Sequence, residues 1–273
     1  MARDENPGLQ EAVKHSVAEQ VLIPEMMEVT DLMPELAQNR DRYEKDAEII
    51  VSKKRSYEAA AGYPGERVCV HNFASATNPG GGVIKGSSAQ EECLCRCSTL
   101  YFCLNTKEMW AGFYSPHRYA QDPIHNDDCI YTPEVIVFKS DTATPAPLPE
   151  KDWYSVNVIT CAAPNLRLLP ANGMNPGDGN KTVKMTRAQQ QALHEKRLRI
   201  LDVAVAGGNE VVILGAFGCG AFENDPEAVA AAFSNVIARY RKCFKTIELA
   251  IYCSPRDEQN YNIFKREIDT TLR

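Results

Sequence analysis

Glu210 to Leu214 reads Glu-Val-Val-Ile-Leu, an apolar run without alternation, set between helical periodicity at Thr186 to Ala206 and at Pro226 to Arg241. A strand that is apolar at consecutive positions is buried on both faces, and flanking helices supply the cover. Val68-Cys69-Val70, Pro133 to Phe138, Tyr154 to Cys161 and Thr246 to Tyr252 are further strand runs, and Ala47 to Ser52 is a short one. The order of elements predicts an α/β fold, a largely parallel or mixed sheet covered by helices on both faces. In such sheets ligands sit beyond the carboxyl ends of the strands.

Two glycine-bearing loops occupy that position. Asn72 to Gly82 follows the Val68 strand, and Gly215-Ala216-Phe217-Gly218-Cys219-Gly220 follows the Val211 strand. Glycine lets backbone N–H groups approach an anion without Cβ obstruction, and a helix N-terminus adds partial positive charge, so a diphosphate is the expected guest of the shared crevice. After the first loop comes Ser88-Ala89-Gln90-Glu91, the spacing of a capping box, which predicts a helix opening just before the paired acids Glu91 and Glu92. Taken alone, Glu91 fits a cap better than a site, and Phe217 fits a core plug as well as a ligand contact.

The pattern Gly80-Gly81-Gly82, then Gln90-Glu91-Glu92, with the lead-in NFASATNPGGG, resembles the signature of the microbial-type poly(ADP-ribose) glycohydrolases, a branch of the macrodomain fold. The resemblance continues through Cys93 to Arg96, Thr160 to Asn165 and Gly215 to Pro226. It implies a macrodomain-like sheet and hydrolysis of ribose–ribose O-glycosidic bonds in poly(ADP-ribose), releasing ADP-ribose. It also implies a substrate site built from Asn72, Ala74, Asn78, Gly80, Gly81, Gly82 and Gln90, and from Gly215, Ala216, Phe217, Gly218, Cys219 and Gly220. Within it Glu92 donates a proton to the leaving ribose hydroxyl and then activates water, Glu91 orients the sugars, and Phe217 positions the reacting ribose. A helix N-terminus favours ionised carboxylate, whereas a general acid must start protonated; Glu91 and the incoming diphosphate, both negative, are expected to raise the Glu92 pKa. A mono-ADP-ribosyl hydrolase acting on modified protein or nucleic acid, and a non-catalytic ADP-ribose reader, remain alternatives. ADP-ribosylated macromolecules are the expected partners.

A formal net charge of −6 over 273 residues argues against a general nucleic-acid surface. Ten cysteines invite a disulfide scaffold, but the start Met1 to Asn6 is charged with no apolar core behind it, so a reducing, cytoplasmic protein is expected. No apolar run approaches the roughly 18 residues of a membrane span. Residues 1–62, mostly helical with Val13, Val17 and Val21 on one face, are expected to form an extension packed on a glycohydrolase domain at 63–273. Tyr101 to Tyr131 is expected to be a loop-rich insertion, residues 166–182 an exposed loop, and Thr186 to Ala206 one long helix. No metal or cofactor is expected. Cys93, Cys97 and His117 or His125 are the competing zinc set, but Cys95 faces away and no partner cluster has a ligand spacing.

Overall fold

Val21–Ile23 (β1), Glu48–Ser52 (β2), Val68–Phe73 (β3), Cys129–Val137 (β4), Tyr154–Cys161 (β5), Val211–Leu214 (β6) and Thr246–Ala250 (β7) form one sheet in the order β1-β4-β5-β3-β6-β7-β2. The computed structural model describes residues 6–254 and 256–271, which leaves the charged start Met1 to Glu5 outside the described residues. Strands β5, β3, β6, β7 and β2 are parallel, while at one edge β4 runs antiparallel to β5 and β1 antiparallel to β4. The mixed, helix-covered sheet expected from the strand runs is the one observed.

The unbroken apolar pattern of β6 has a direct explanation in the packing. Val211 and Ile213 enter the core beneath the Gln90–Cys97 helix together with Val68, Val70 and Leu94. Val212 and Leu214 enter the opposite core with Val229, Phe233 and Phe264 from the Pro226–Ile237 and Gln259–Thr271 helices. Each such side chain contributes about 1.5–3 kcal/mol by leaving water, so a polar residue anywhere in this strand opens one core or the other.

The segment before residue 63 is woven into the sheet at both edges. Val21 pairs with Tyr131 and Glu48 with Thr246, so β1 lies against β4 and β2 against β7. The Pro7–Ala18 helix, capped where the Asn6 side chain accepts from the Leu9 N–H, lies over β4, where the Ser16 hydroxyl donates to the Glu134 carbonyl. Val21 therefore belongs to a strand, not to the apolar face of that helix.

Three further expectations are corrected. The Thr186–Ala206 periodicity is broken into Arg187–Arg197 and Ile200–Ala206. The break lets the Arg197 guanidinium turn inward to Asp127 and the Ala162 carbonyl while Arg199 reaches the Pro24 and Glu25 carbonyls. The stretch from Tyr101 to Tyr131 is helical over Leu100–Leu104, Lys107–Met109 and Ser115–Ala120, with a π turn at Trp110–Tyr114. A π turn shifts the side-chain phase, which hides the 3.6-residue period from the sequence. The expected capping box is absent: the Gln90–Cys97 helix is capped at Ala89 without a side-chain bond, because the Glu91 carboxylate is drawn to the Ser75 N–H at 2.8 Å.

Candidate active site

The carboxyl ends of β5, β3, β6 and β7 open into a cavity of about 470 Å³, lined in part by Phe73, Ala163, Ala216 and Ala250. That is within the range of about 300–1,000 Å³ typical of small-ligand sites. The Gln90–Cys97 helix points its first turn at this cavity, and a clip fixes its angle. The Gln90 amide donates to the His71 carbonyl at 2.7 Å and the Ser56 hydroxyl at 3.0 Å, and accepts from the Phe73 N–H at 2.9 Å. With Gln90 held at the end of β3, Glu91 and Glu92 project under the first glycine loop.

That loop is shaped around the acids. Gly80 and Gly81 have φ of +66° and +55°, the left-handed region. A Cβ on Gly81 would come within 2.5 Å of Glu92 Oε1 and 3.1 Å of Glu91 Oε2. The Gly82 N–H donates to Glu92 Oε1 at 2.8 Å, while Glu92 Oε2 is buried with no hydrogen-bond partner among the described residues. Glu91 instead has both oxygens engaged, Oε2 by the Ser75 N–H and Oε1 by the Asn72 amide at 3.4 Å. Burial, reinforced by the neighbouring charge of Glu92 and opposed by the Ser75 N–H, pushes the Glu91 carboxyl up to about 8. Its surroundings thus favour the protonated form of Glu91.

The second loop treats its backbone differently. Gly218 has φ +78°, and the Asn224 amide fastens the turn by donating to the Pro164, Gly218 and Phe222 carbonyls, while its oxygen accepts from His194 Nε2 at 2.8 Å. Among the described residues, the N–H groups of Gly218, Gly220 and Ala221 donate to no protein acceptor. Unpaired N–H groups lining a concave surface suit an anion.

The family described as "Microbial-type PARG, catalytic domain" matches residues 3–140, half of the chain. The chain belongs to the microbial-type PARG family. Its fold is similar to the poly(ADP-ribose) glycohydrolase of Thermomonospora curvata bound to the inhibitor ADP-HPD, at 29% identity and a TM-score of 0.75, covering 94% of this chain and 88% of that one. It is also similar to the Deinococcus radiodurans enzyme in complex with ADP-ribose, at 27% identity and a TM-score of 0.78, covering 97% of this chain and 98% of that one. No curated protein matches the sequence.

Within this PARG fold, Ala74, Gly81, Gln90, Glu91, Glu92, Ala216, Gly218 and Gly220 line the cavity. The other expected site residues stand behind that wall. Asn72 is fully buried and bridges Glu91 to the Thr160 hydroxyl. Asn78 braces the first loop from within, its amide bonded to the Gly81 carbonyl and its oxygen accepting from Arg118 at 3.2 Å. Gly80 and Gly82 pack against Tyr101 and Ser87, and Gly215 against Phe73. Cys219 is half-buried, its thiol turned to the Phe217 carbonyl.

Phe217 is the main displacement. Its ring is 1% exposed and packs between His71, at a centroid distance of 4.5 Å, and His194, at 5.5 Å. It is a core plug, and the aromatic ring that lines the cavity from this loop is Phe222. The signal was present but ambiguous, since Gly215-Ala216-Phe217 and Gly220-Ala221-Phe222 are the same tripeptide twice. Sequence reasoning also missed Arg55, Asp141 and Tyr252, where Arg55 stacks on the Tyr252 ring at 4.0 Å and lies 3.9 Å from Asp141, and missed Arg167, Asn172 and Met174 from the loop at 166–182.

The thiols of the alternative zinc set do not converge with the histidines. Cys93 and Cys97 turn to the Ser88 and Ser140 carbonyls, His117 bonds the Phe113 carbonyl and Asn126, and His125 lies 3.6 Å from Asp178. Among the described residues no three His, Cys, Asp or Glu side chains are grouped to hold a metal, and no helix is long and apolar enough to cross a membrane.

Proposed function

We propose that this poly(ADP-ribose) glycohydrolase cleaves the ribose–ribose bond with Glu92 as the proton-transfer residue and the second glycine loop as the diphosphate site. The observation that carries the reading is the contrast within the acid pair: Glu92 Oε2 has no partner among the described residues, whereas both oxygens of Glu91 are engaged. Glycosidic cleavage requires a proton on the departing oxygen as the C–O bond breaks and negative charge near the oxocarbenium-like carbon. Glu92 gives its proton to that oxygen, then as carboxylate takes one from the water that adds to the carbon, which frees ADP-ribose and restores the acid. The Gly82 N–H holds the other Glu92 oxygen in place through both steps.

Glu91 acts by staying neutral. A carboxyl that keeps its proton to about pH 8 leaves the acid pair with less negative charge when the diphosphate arrives. The bound unit then spans from the unpaired N–H groups of Gly218, Gly220 and Ala221 to the acids, with Phe222 beside the reacting ribose. Residues 1–62 serve as an extension that closes both edges of the sheet of a 63–273 catalytic domain, and the free state of the cysteines supports a cytoplasmic setting. Incubation with poly(ADP-ribose), with release of free ADP-ribose compared between the wild type and Glu92→Gln, tests the assignment; equal release by the two proteins removes Glu92 from the role.

A further inference from the structure

The cavity wall carries two arginines, and their surroundings differ. Arg55 is matched by Asp141 at 3.9 Å and by the face of Tyr252. Arg167, in the stretch that leaves β5, lies within ion-pair distance of no carboxylate among the described residues. Its Nη2 donates to the Pro170 carbonyl at 2.8 Å and the Leu169 carbonyl at 3.5 Å, and its Nε is buried with no acceptor among the described residues. The Pro170 carbonyl is itself fixed by the buried Asn165 amide at 3.1 Å, whose nitrogen also donates to Asp178 at 2.7 Å. A guanidinium held through Nη2, with another N–H unused, is arranged for an oxyanion and is unusual as packing, because a buried unpaired donor costs about 1–3 kcal/mol.

The same segment is tied to the second glycine loop, since the Leu166 N–H donates to the Phe222 carbonyl at 3.0 Å. The other ionisable acids and bases of the lining, thiol and phenol aside, are Glu91, Glu92 and the Arg55–Asp141 pair, so Arg167 is the cation left to offset an incoming dianion. We propose that Arg167 is a substrate-binding residue that takes a phosphate oxygen of the ADP-ribose diphosphate from the side opposite the backbone N–H groups of Gly218, Gly220 and Ala221. This rests on the assignment of that loop as the diphosphate site. It places one face of the diphosphate on backbone dipoles and the other on a full side-chain charge, so affinity for the bound unit becomes dependent on salt.

Calorimetry with ADP-ribose and with adenosine, at low and high salt, tests it. Arg167→Gln is expected to weaken ADP-ribose by about 10- to 100-fold, the range of one charge-assisted hydrogen bond, to reduce the slope of log Kd against log salt because one screened charge is lost, and to leave adenosine unchanged. Arg167→Lys should retain the salt slope. Wild-type affinity and slope in Arg167→Gln overturn the proposal, as does equal weakening of adenosine, which would mark a collapsed loop. Should glutamine prevent folding, Arg167→Met is measured against the same criteria. Failure of the wild type to prefer ADP-ribose over adenosine would sink the diphosphate assignment itself, a separate result from any Arg167 effect.

Discussion

The two glycine loops share a position at the strand ends and a composition, yet they spend their backbone on different partners. In the first, the N–H groups of Ser75 and Gly82 are given to the protein's own carboxylates. In the second, those of Gly218, Gly220 and Ala221 donate to no protein acceptor among the described residues. On the proposed reading the first loop holds the catalytic groups and the second holds the substrate. Glycine enrichment marks a close approach of backbone to something charged, and only the fold says whether that charge is already part of the chain.

The largest effect expected from this comparison is on the first loop's cargo. Glu92→Gln keeps the bond from Gly82 but loses the proton, so turnover should fall by roughly 10²–10⁴ with ADP-ribose affinity nearly unchanged; a parallel loss of affinity would blur the division between holder of acids and holder of substrate. The repeated tripeptide of the second loop gives the next contrast. Phe217→Ala empties a core position and should cost about 3–5 kcal/mol of stability in urea unfolding, whereas Phe222→Ala should leave the unfolding midpoint near wild type and raise KM. A reversed pattern would return Phe217 to the sugar.

Gly81→Ala forces a Cβ to within 2.5 Å of Glu92 Oε1 at φ +55°. Displacing the acid should lower kcat by about 10²-fold, the scale of a small misplacement of a reacting group. If kcat holds and only KM rises, the first loop contacts substrate directly.

The pH dependence of stability separates the loops by sign. Glu91 is raised from 4.5 to about 8 in the folded protein, so its share of stability is present at acid pH and is lost as pH climbs from 4.5 through about 8. Beneath the second loop burial lowers His71 to about 3 and His194 to about 4, both from 6.5, so their share is lost as pH falls below 6.5. Thermal melting of Glu91→Gln should lose the alkaline decline and keep the acid one; an unchanged alkaline limb would mean that Glu91 titrates normally. The smallest effect is expected at Gly220, where an added Cβ meets nothing within 4 Å. Gly220→Ala should shift stability by no more than about 0.5 kcal/mol while weakening ADP-ribose several-fold, and a stability loss instead would show that this stretch is structural.

Much of the site is legible in the sequence because its chemistry is local. Gln90, Glu91 and Glu92 are neighbours on one helical turn, Gly80 to Gly82 precede them, and the apolar runs of β3 and β6 put both loops at strand ends. Periodicity and backbone sterics act over a few residues, so they are visible in a few residues. Where the reading failed, the deciding interaction crossed the chain. Ser75 took Glu91 from its cap, His71 and His194 took Phe217 into the core, and a π turn concealed the helices before β4.

By itself, then, the sequence determined the class of sheet, the two loops and the identity of the acid pair, since each follows from residue type and spacing. Tertiary structure alone decided that Glu91 is buried with both oxygens engaged, which of the duplicated phenylalanines meets the cavity, and that residues before 63 and at 166–182 close the sheet edges and the cavity wall. Burial and unpaired hydrogen-bonding groups are properties of what surrounds a residue, and in this fold those surroundings come from segments about 20 to 200 positions away in the chain.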